Sequence, residues 1–213
     1  GIWHFEETAS PSLDSSGYGS NGTWTNVQSK TAEECGLGFG GCLYFNGSAS
    51  VDVGSSSARG LQNTVTVSAW VYKSGTTWQY YFGKRFWGTE RFGVGYHPSC
   101  SSWWLSYGAD QGLCFGTQLL NQWVHLAVTY DSSLPSANFK TYQNGVAQQT
   151  LNFTGTAIAD SSSLLIGKNV DQGSWNGYID EVAVYGSSFT VQEIQRLYTE
   201  GVGRHQMASA SGM

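Results

Sequence analysis

From Val65 to Tyr72 the chain alternates without a break, with Val65, Val67, Ala69 and Val71 on one side and Thr66, Ser68, Trp70 and Tyr72 on the other. A period of two sorts residues onto the two faces of an extended strand, and a helix would scatter them around its axis. Trp123–Tyr130 repeats the device, with Val124, Leu126 and Val128 on one face. Phe139 to Gln149 reads as a hairpin, because Asn144-Gly145 suits the positive φ angles of a tight turn. Ser163–Lys168 and Tyr178–Tyr185 read as further strands, apolar on both faces and therefore placed inside a two-layer structure. One helix is expected. Thr190-Val-Gln-Glu193 forms a capping box, Ile194, Leu197 and Tyr198 share a face, and Gly201 closes the helix.

These elements fill 213 residues with no internal repeat or linker, so the expectation is one all-β domain over 1–202 and a C-terminal tail over 203–213. A chain of this size buries roughly 70% of its unfolded surface, enough for a real core. Charged residues make up only 12% and the net charge is −5, with the basic residues scattered. Nucleic acid is not the expected partner, because phosphate binding needs clustered Lys and Arg. No apolar run is long enough to span a bilayer, so membrane insertion by this domain is not expected. The chain starts at Gly1 and reads as a mature or excised part of a larger protein.

Four cysteines allow three pairings. Cys35 and Cys42 bracket one glycine-rich turn, and Cys100 and Cys114 bracket another loop, so local pairing in each is the simplest arrangement. Disulfides imply an oxidising compartment, hence an extracellular or cell-surface location. A zinc site would need short Cys-x-x-Cys or Cys/His spacing, which is absent. The sequons at Asn21, Asn46 and Asn152 fit secretion and add little weight.

Nine segments occur in a recognisable order. They are Gly1–Glu7, Asp14–Thr23, Leu43–Ser48, Val67–Val71, Gln122–Asp131, Tyr142–Gly145, Leu165–Gly167, Gly177–Tyr185 and Glu193–Tyr198. The set resembles the LamG-like jelly-roll domains of the concanavalin A-like lectin/glucanase superfamily. The resemblance implies a two-sheet antiparallel jelly-roll sandwich, one face concave and one convex, with ligands met on the concave face or its rim. It also implies a module carried in larger secreted or surface proteins. A structural calcium ion is implied as well, with Glu6, Gly47 and Asp180 at the matching positions; the alternative for Asp180 is a structural hydrogen bond. The chain departs from the pattern at Glu6, where Asp is common, and in its aromatic middle section, residues 76–116. The ending Leu197–Gly201 is similar to endings in pilin-like surface proteins.

Related glucanases place Glu-x-Asp-x-Glu on one strand face, and no such spacing occurs here. The acids are mostly isolated or adjacent, and adjacent strand residues face opposite ways. Glu90, inside the aromatic section, is the acid to watch. No His pair has metal-ligand spacing, and His125, within a strand, reads as a packed structural residue. No nucleophile elbow or phosphate loop is present either. The expectation is therefore a non-enzymatic domain.

Aromatic rings stack on the C–H faces of sugars, and Tyr and Trp also offer a polar handle. The middle section supplies Trp78, Tyr80, Trp87, Tyr96, Trp103 and Trp104 as ligand-stacking candidates, while Phe82, Phe86, Phe92 and Phe115 read as core. In a strand, one of Trp103 and Trp104 must face outward. The expected function is a non-catalytic, lectin-like carbohydrate-binding or adhesive module, its partner a glycan or a surface protein. The alternatives are a structural or protein-interaction module of a pilin-like appendage and, last, a glycoside hydrolase or polysaccharide lyase with unconventional acids.

Overall fold

The computed structural model describes residues 1–36, 40–55, 63–84, 92–107, 111–153, 162–169 and 173–210. Two antiparallel sheets face one another. In the first, β13 (Val146–Leu151), β12 (Phe139–Gln143), β11 (Trp123–Asp131), β6 (Thr64–Lys73), β15 (Asn176–Tyr185), β4 (Cys42–Asn46) and β3 (Gln28–Lys30) lie in that order. In the second the order is β10 (Gln111–Phe115), β9 (Ser102–Tyr107), β8 (Phe92–His97), β7 (Gln79–Lys84), β14 (Leu164–Ile166), β5 (Ser50–Asp52) and β2 (Thr23–Thr25). This is the expected jelly-roll sandwich.

The period-two pattern decides what fills it. Val65, Val67, Ala69 and Val71 of β6 and Val124, Leu126 and Val128 of β11 are fully buried. All pack in one cluster with Phe92, Val94, Trp103, Leu105 and Phe115 of the opposite sheet. Phe82 joins them, as expected, whereas Phe86 lies outside the described residues. The hairpin turns at Asn144 and Gly145, both with positive φ (50° and 75°). Both disulfides are local, Cys35–Cys42 and Cys100–Cys114.

The outer edge of β15 is shared. Asn176 to Ile179 pair with β4, and Val182 and Ala183 pair with β1 (Ile2–Trp3). The two partners change over at a bulge, where Glu181 has φ 49° and donates its backbone N–H to the Asp180 carboxylate. Asp180 is buried.

One expectation is corrected at the C-terminus. A short helix α1 (Ala32–Cys35) precedes Cys42, and helix α2 runs Val191–Ala210, past its expected end at Gly201. The capping box at its start is present: Thr190 Oγ accepts from Glu193 N, and the Glu193 carboxylate accepts from Thr190 N. Gly201 does not terminate the helix. It is buried, and a β-carbon there would strike the Trp70 indole nitrogen, so glycine serves close packing at this position.

Candidate functional site

Strand β8 reads Phe-Gly-Val-Gly-Tyr-His, and its inward residues are Phe92, Val94 and Tyr96. The outward set is Gly93, Gly95 and His97, facing Ser106, Trp104 and Ser102 of β9. Beyond β9, Gly112 and Cys114 of β10 face Ser106 and Trp104. The outer face of the second sheet thus carries a strip of small residues from which Trp104 rises.

Glycines set where the rings go. The Trp104 ring lies over Gly112, so close that a β-carbon at 112 would fall within the indole. A β-carbon at Gly95 would meet the Gln79 carbonyl and the Tyr80 backbone. Glycine at 95 therefore lets the start of β7 close over β8, next to the register shift between Tyr80 and Phe82. That approach brings Trp78 to His97 with ring centroids 4.7 Å apart, nearly edge to face. His97 in turn lies 5.0 Å from the Trp104 ring. Trp78, His97 and Trp104 form one aromatic row, and all three are half-buried.

The row has one defined polar group. Ser99 N–H donates to His97 Nδ1 at 3.2 Å, so the neutral ring carries its proton on Nε2. Burial lowers the His97 pKa, which favours that neutral form. The Cys100–Cys114 bridge ties the turn after β8 to the residue directly opposite Trp104, fixing the row from behind. The arrangement offers two indole surfaces and an N–H donor, suited to the C–H faces and hydroxyls of a neutral ligand.

The expected stacking residues divide. Trp103 and Trp104 alternate as strand geometry requires, and Trp103 is the inward one, buried with its indole N–H on the Thr117 carbonyl at 3.1 Å. Tyr96 also points inward, under Lys73, whose Nζ lies 4.3 Å from the ring centroid. Burial lowers the Lys73 pKa to about 8. Tyr80 is buried too, its ring against Gly93 and Gly173. Trp103, Tyr96 and Tyr80 therefore have no face available to a ligand, because alternation or the overlying chain covers each. Trp87 and Glu90 lie outside the described residues.

His97 was missed. The signal was available in the glycines of Phe92–His97, which mark the outward positions and make His97 the next one on that face.

Of the residues that the resemblance sets at a calcium ion, Asp180 is buried on β15, and Glu6 and Gly47 lie on other segments. Asn46 pairs with Asn176, which places neighbouring Gly47 four or more residues along β15 from Asp180. At roughly 3.3 Å per residue that is over 10 Å along the strand. Gly47 N–H donates to the Trp175 carbonyl, and the Glu6 carboxylate accepts from Gly41 N–H. Among the described residues no three His, Cys, Asp or Glu side chains group as a metal site.

Among solved structures, the chain is similar to domain 4 of AbnA, a GH43 extracellular arabinanase from Geobacillus stearothermophilus, in complex with arabinotriose. The TM-score is 0.70 at 22% identity, covering 92% of this chain and 96% of that one. It is also similar to Trypanosoma rangeli sialidase in complex with the inhibitor DANA, at TM-score 0.67 and 16% identity. That match covers 93% of this chain but only 32% of the sialidase. The native heptameric SAP-like pentraxin of Limulus polyphemus matches at TM-score 0.52 and 15% identity, covering 64% of this chain and 70% of the pentraxin. No curated protein matches the sequence. A Laminin_G_3 family model, described as concanavalin A-like lectin/glucanases superfamily, matches residues 45–195. The chain belongs to the concanavalin A-like lectin/glucanase superfamily.

Proposed function

We propose that this domain is a non-catalytic carbohydrate-binding module of a secreted or surface protein, and that it holds a neutral glycan on the row Trp78–His97–Trp104. The observation that carries the reading is the placement of two half-buried indoles on either side of a neutral imidazole. Stacking supplies affinity without charge, and the His97 Nε2–H donates to a hydroxyl and so orients the sugar. Two disulfides support the extracellular setting. Among the described residues no helix is long and apolar enough to cross a membrane. The arabinotriose held by the AbnA domain makes arabinan the first ligand to try.

Affinity electrophoresis through arabinan and a panel of other neutral polysaccharides tests the reading. At least one is expected to retard the domain. Trp104→Ala or Trp78→Ala should weaken that binding about tenfold, which corresponds to ~1.4 kcal/mol. Tyr18→Ala, at a ring 86% exposed and outside the row, should change nothing. Retardation by no polysaccharide, or equal loss from the Tyr18 variant, would count against the proposal.

A further inference from the structure

The other face of the sandwich carries a second feature, independent of the aromatic row. Between the first sheet, the N-terminal strand and α2 lies a cavity of about 240 Å³. A water takes roughly 30 Å³ of liquid, so there is space for a ligand the size of an amino-acid side chain. Its floor is low because two small residues, Ser68 and Ala183, face each other across β6 and β15. Trp70 stands beside them and stacks on Tyr198 of α2, with centroids 5.6 Å apart. Gly201, pressed against the Trp70 indole, brings the helix close enough to form the far wall.

The polar groups lining this space share a chemistry. Glu181 and Glu200 are carboxylates, and His4 is the lining group able to carry positive charge, its Nδ1 2.6 Å from Glu181. Glu200 pairs with Arg196, whose side chain is 78% exposed, so water screens that pair. The buried imidazole of His125 shares a 2.8 Å hydrogen bond with Ser68 Oγ through Nε2. Its Nδ1 has no hydrogen-bond partner among the described residues. Burial lowers the His125 pKa to about 3, so the ring is neutral and opposes no cation. Among the described residues no Lys or Arg lines the space.

Two carboxylates against the single imidazole of His4, with the neutral His125 ring and an indole, disfavour an anion and suit a positively charged hydrogen-bond donor. We propose that this cavity binds a small organic cation, an alkylammonium or guanidinium group, between Trp70, Glu181 and Glu200. Its alkyl part lies against Ile2 and Leu197. The N–H groups meet the carboxylates, and a neutral polyol of the same size gains no charge complementarity there.

Titration of the full chain with n-butylammonium and with ethylguanidinium, followed by 1H–15N spectra, tests the assignment. Both cations are expected to shift the Trp70 indole N–H and the Gly201 amide saturably. 1-Butanol and butyrate, matched in size, should not. Glu200→Gln, at a half-exposed position that does not endanger folding, should weaken cation binding about fivefold. Trp104→Ala should leave the response intact, which separates this site from the glycan surface. A blocked Gly-Lys-Gly peptide identifies the source. Binding as tight as that of butylammonium assigns a lysine side chain of a partner, and weaker binding assigns a free amine. Absence of shifts with both cations, equal shifts with 1-butanol, or an unchanged Glu200→Gln titration would overturn the assignment.

Discussion

The indole of Trp104 rests on the α-carbon of Gly112, one strand away, in space a single methyl group would occupy. Gly112→Ala should therefore tilt the ring out of the row while leaving the core untouched. Glycan binding is expected to fall about as far as with Trp104→Ala, roughly tenfold. The melting temperature should drop by only a few degrees, on the order of 1 kcal/mol. Polysaccharide affinity measured beside a thermal melt checks both halves.

The Cys100–Cys114 bridge closes a loop with a sequence separation of 14. Cross-linking a loop of that length is worth about 3 kcal/mol by the chain-entropy estimate. A Cys100→Ser/Cys114→Ser double variant should melt lower by that amount. It should also bind glycan less well at temperatures where it is still folded, because the turn behind His97 is released. Denaturant titration and affinity electrophoresis at the same temperature separate the two effects.

Gly201→Ala tests packing against propensity. In an exposed helix this change would stabilise by about 1 kcal/mol. Here the added carbon meets the Trp70 indole nitrogen, so the substitution should destabilise. The sign of the change in unfolding free energy decides between them.

The pH dependence follows from two groups. His125 is neutral in the fold, its pKa lowered to about 3 by burial, and in the unfolded chain it takes a proton near its ordinary 6.5. Its stabilisation is thus whole above about pH 6.5 and is lost as pH falls toward 3, at up to about 1.4 kcal/mol per pH unit. Asp14 sits at about 2, held below its usual 3.8 by hydrogen bonds from Ser16, Ile2 and Ser20 that outweigh its desolvation. It adds a further loss as pH falls from about 4 toward 2. Urea titrations from pH 7 to 4 should show His125→Asn flattening the upper part of this slope.

Much of the sandwich was legible because strands announce themselves by period two. That Trp103 and Trp104 face opposite ways follows from that rule, whereas Tyr96, expected at the ligand, turns inward. Tyr80 was not legible, since its cover comes from Gly173, far away in sequence. The end of α2 was misjudged because a glycine late in a helix reads equally as a stop or as a contact, and only Trp70 tells which. Motif order does not report register either, and register sets Gly47 several residues from Asp180 along β15. The cavity beside His125 left no linear trace, because its walls come from both ends of the chain.

The changeover at the Asp180–Glu181 bulge bears on solubility. Beyond that point the edge of β15 is covered by the first three residues: Ile2 and Trp3 pair with Ala183 and Val182, and Gly1 exchanges hydrogen bonds with Val184. Without them the backbone of Val182 and Ala183, in a run of apolar residues, would face water with open pairing groups, a template for another chain. Removing those three residues would therefore leave most of the core in place and still make the domain prone to strand-mediated aggregation.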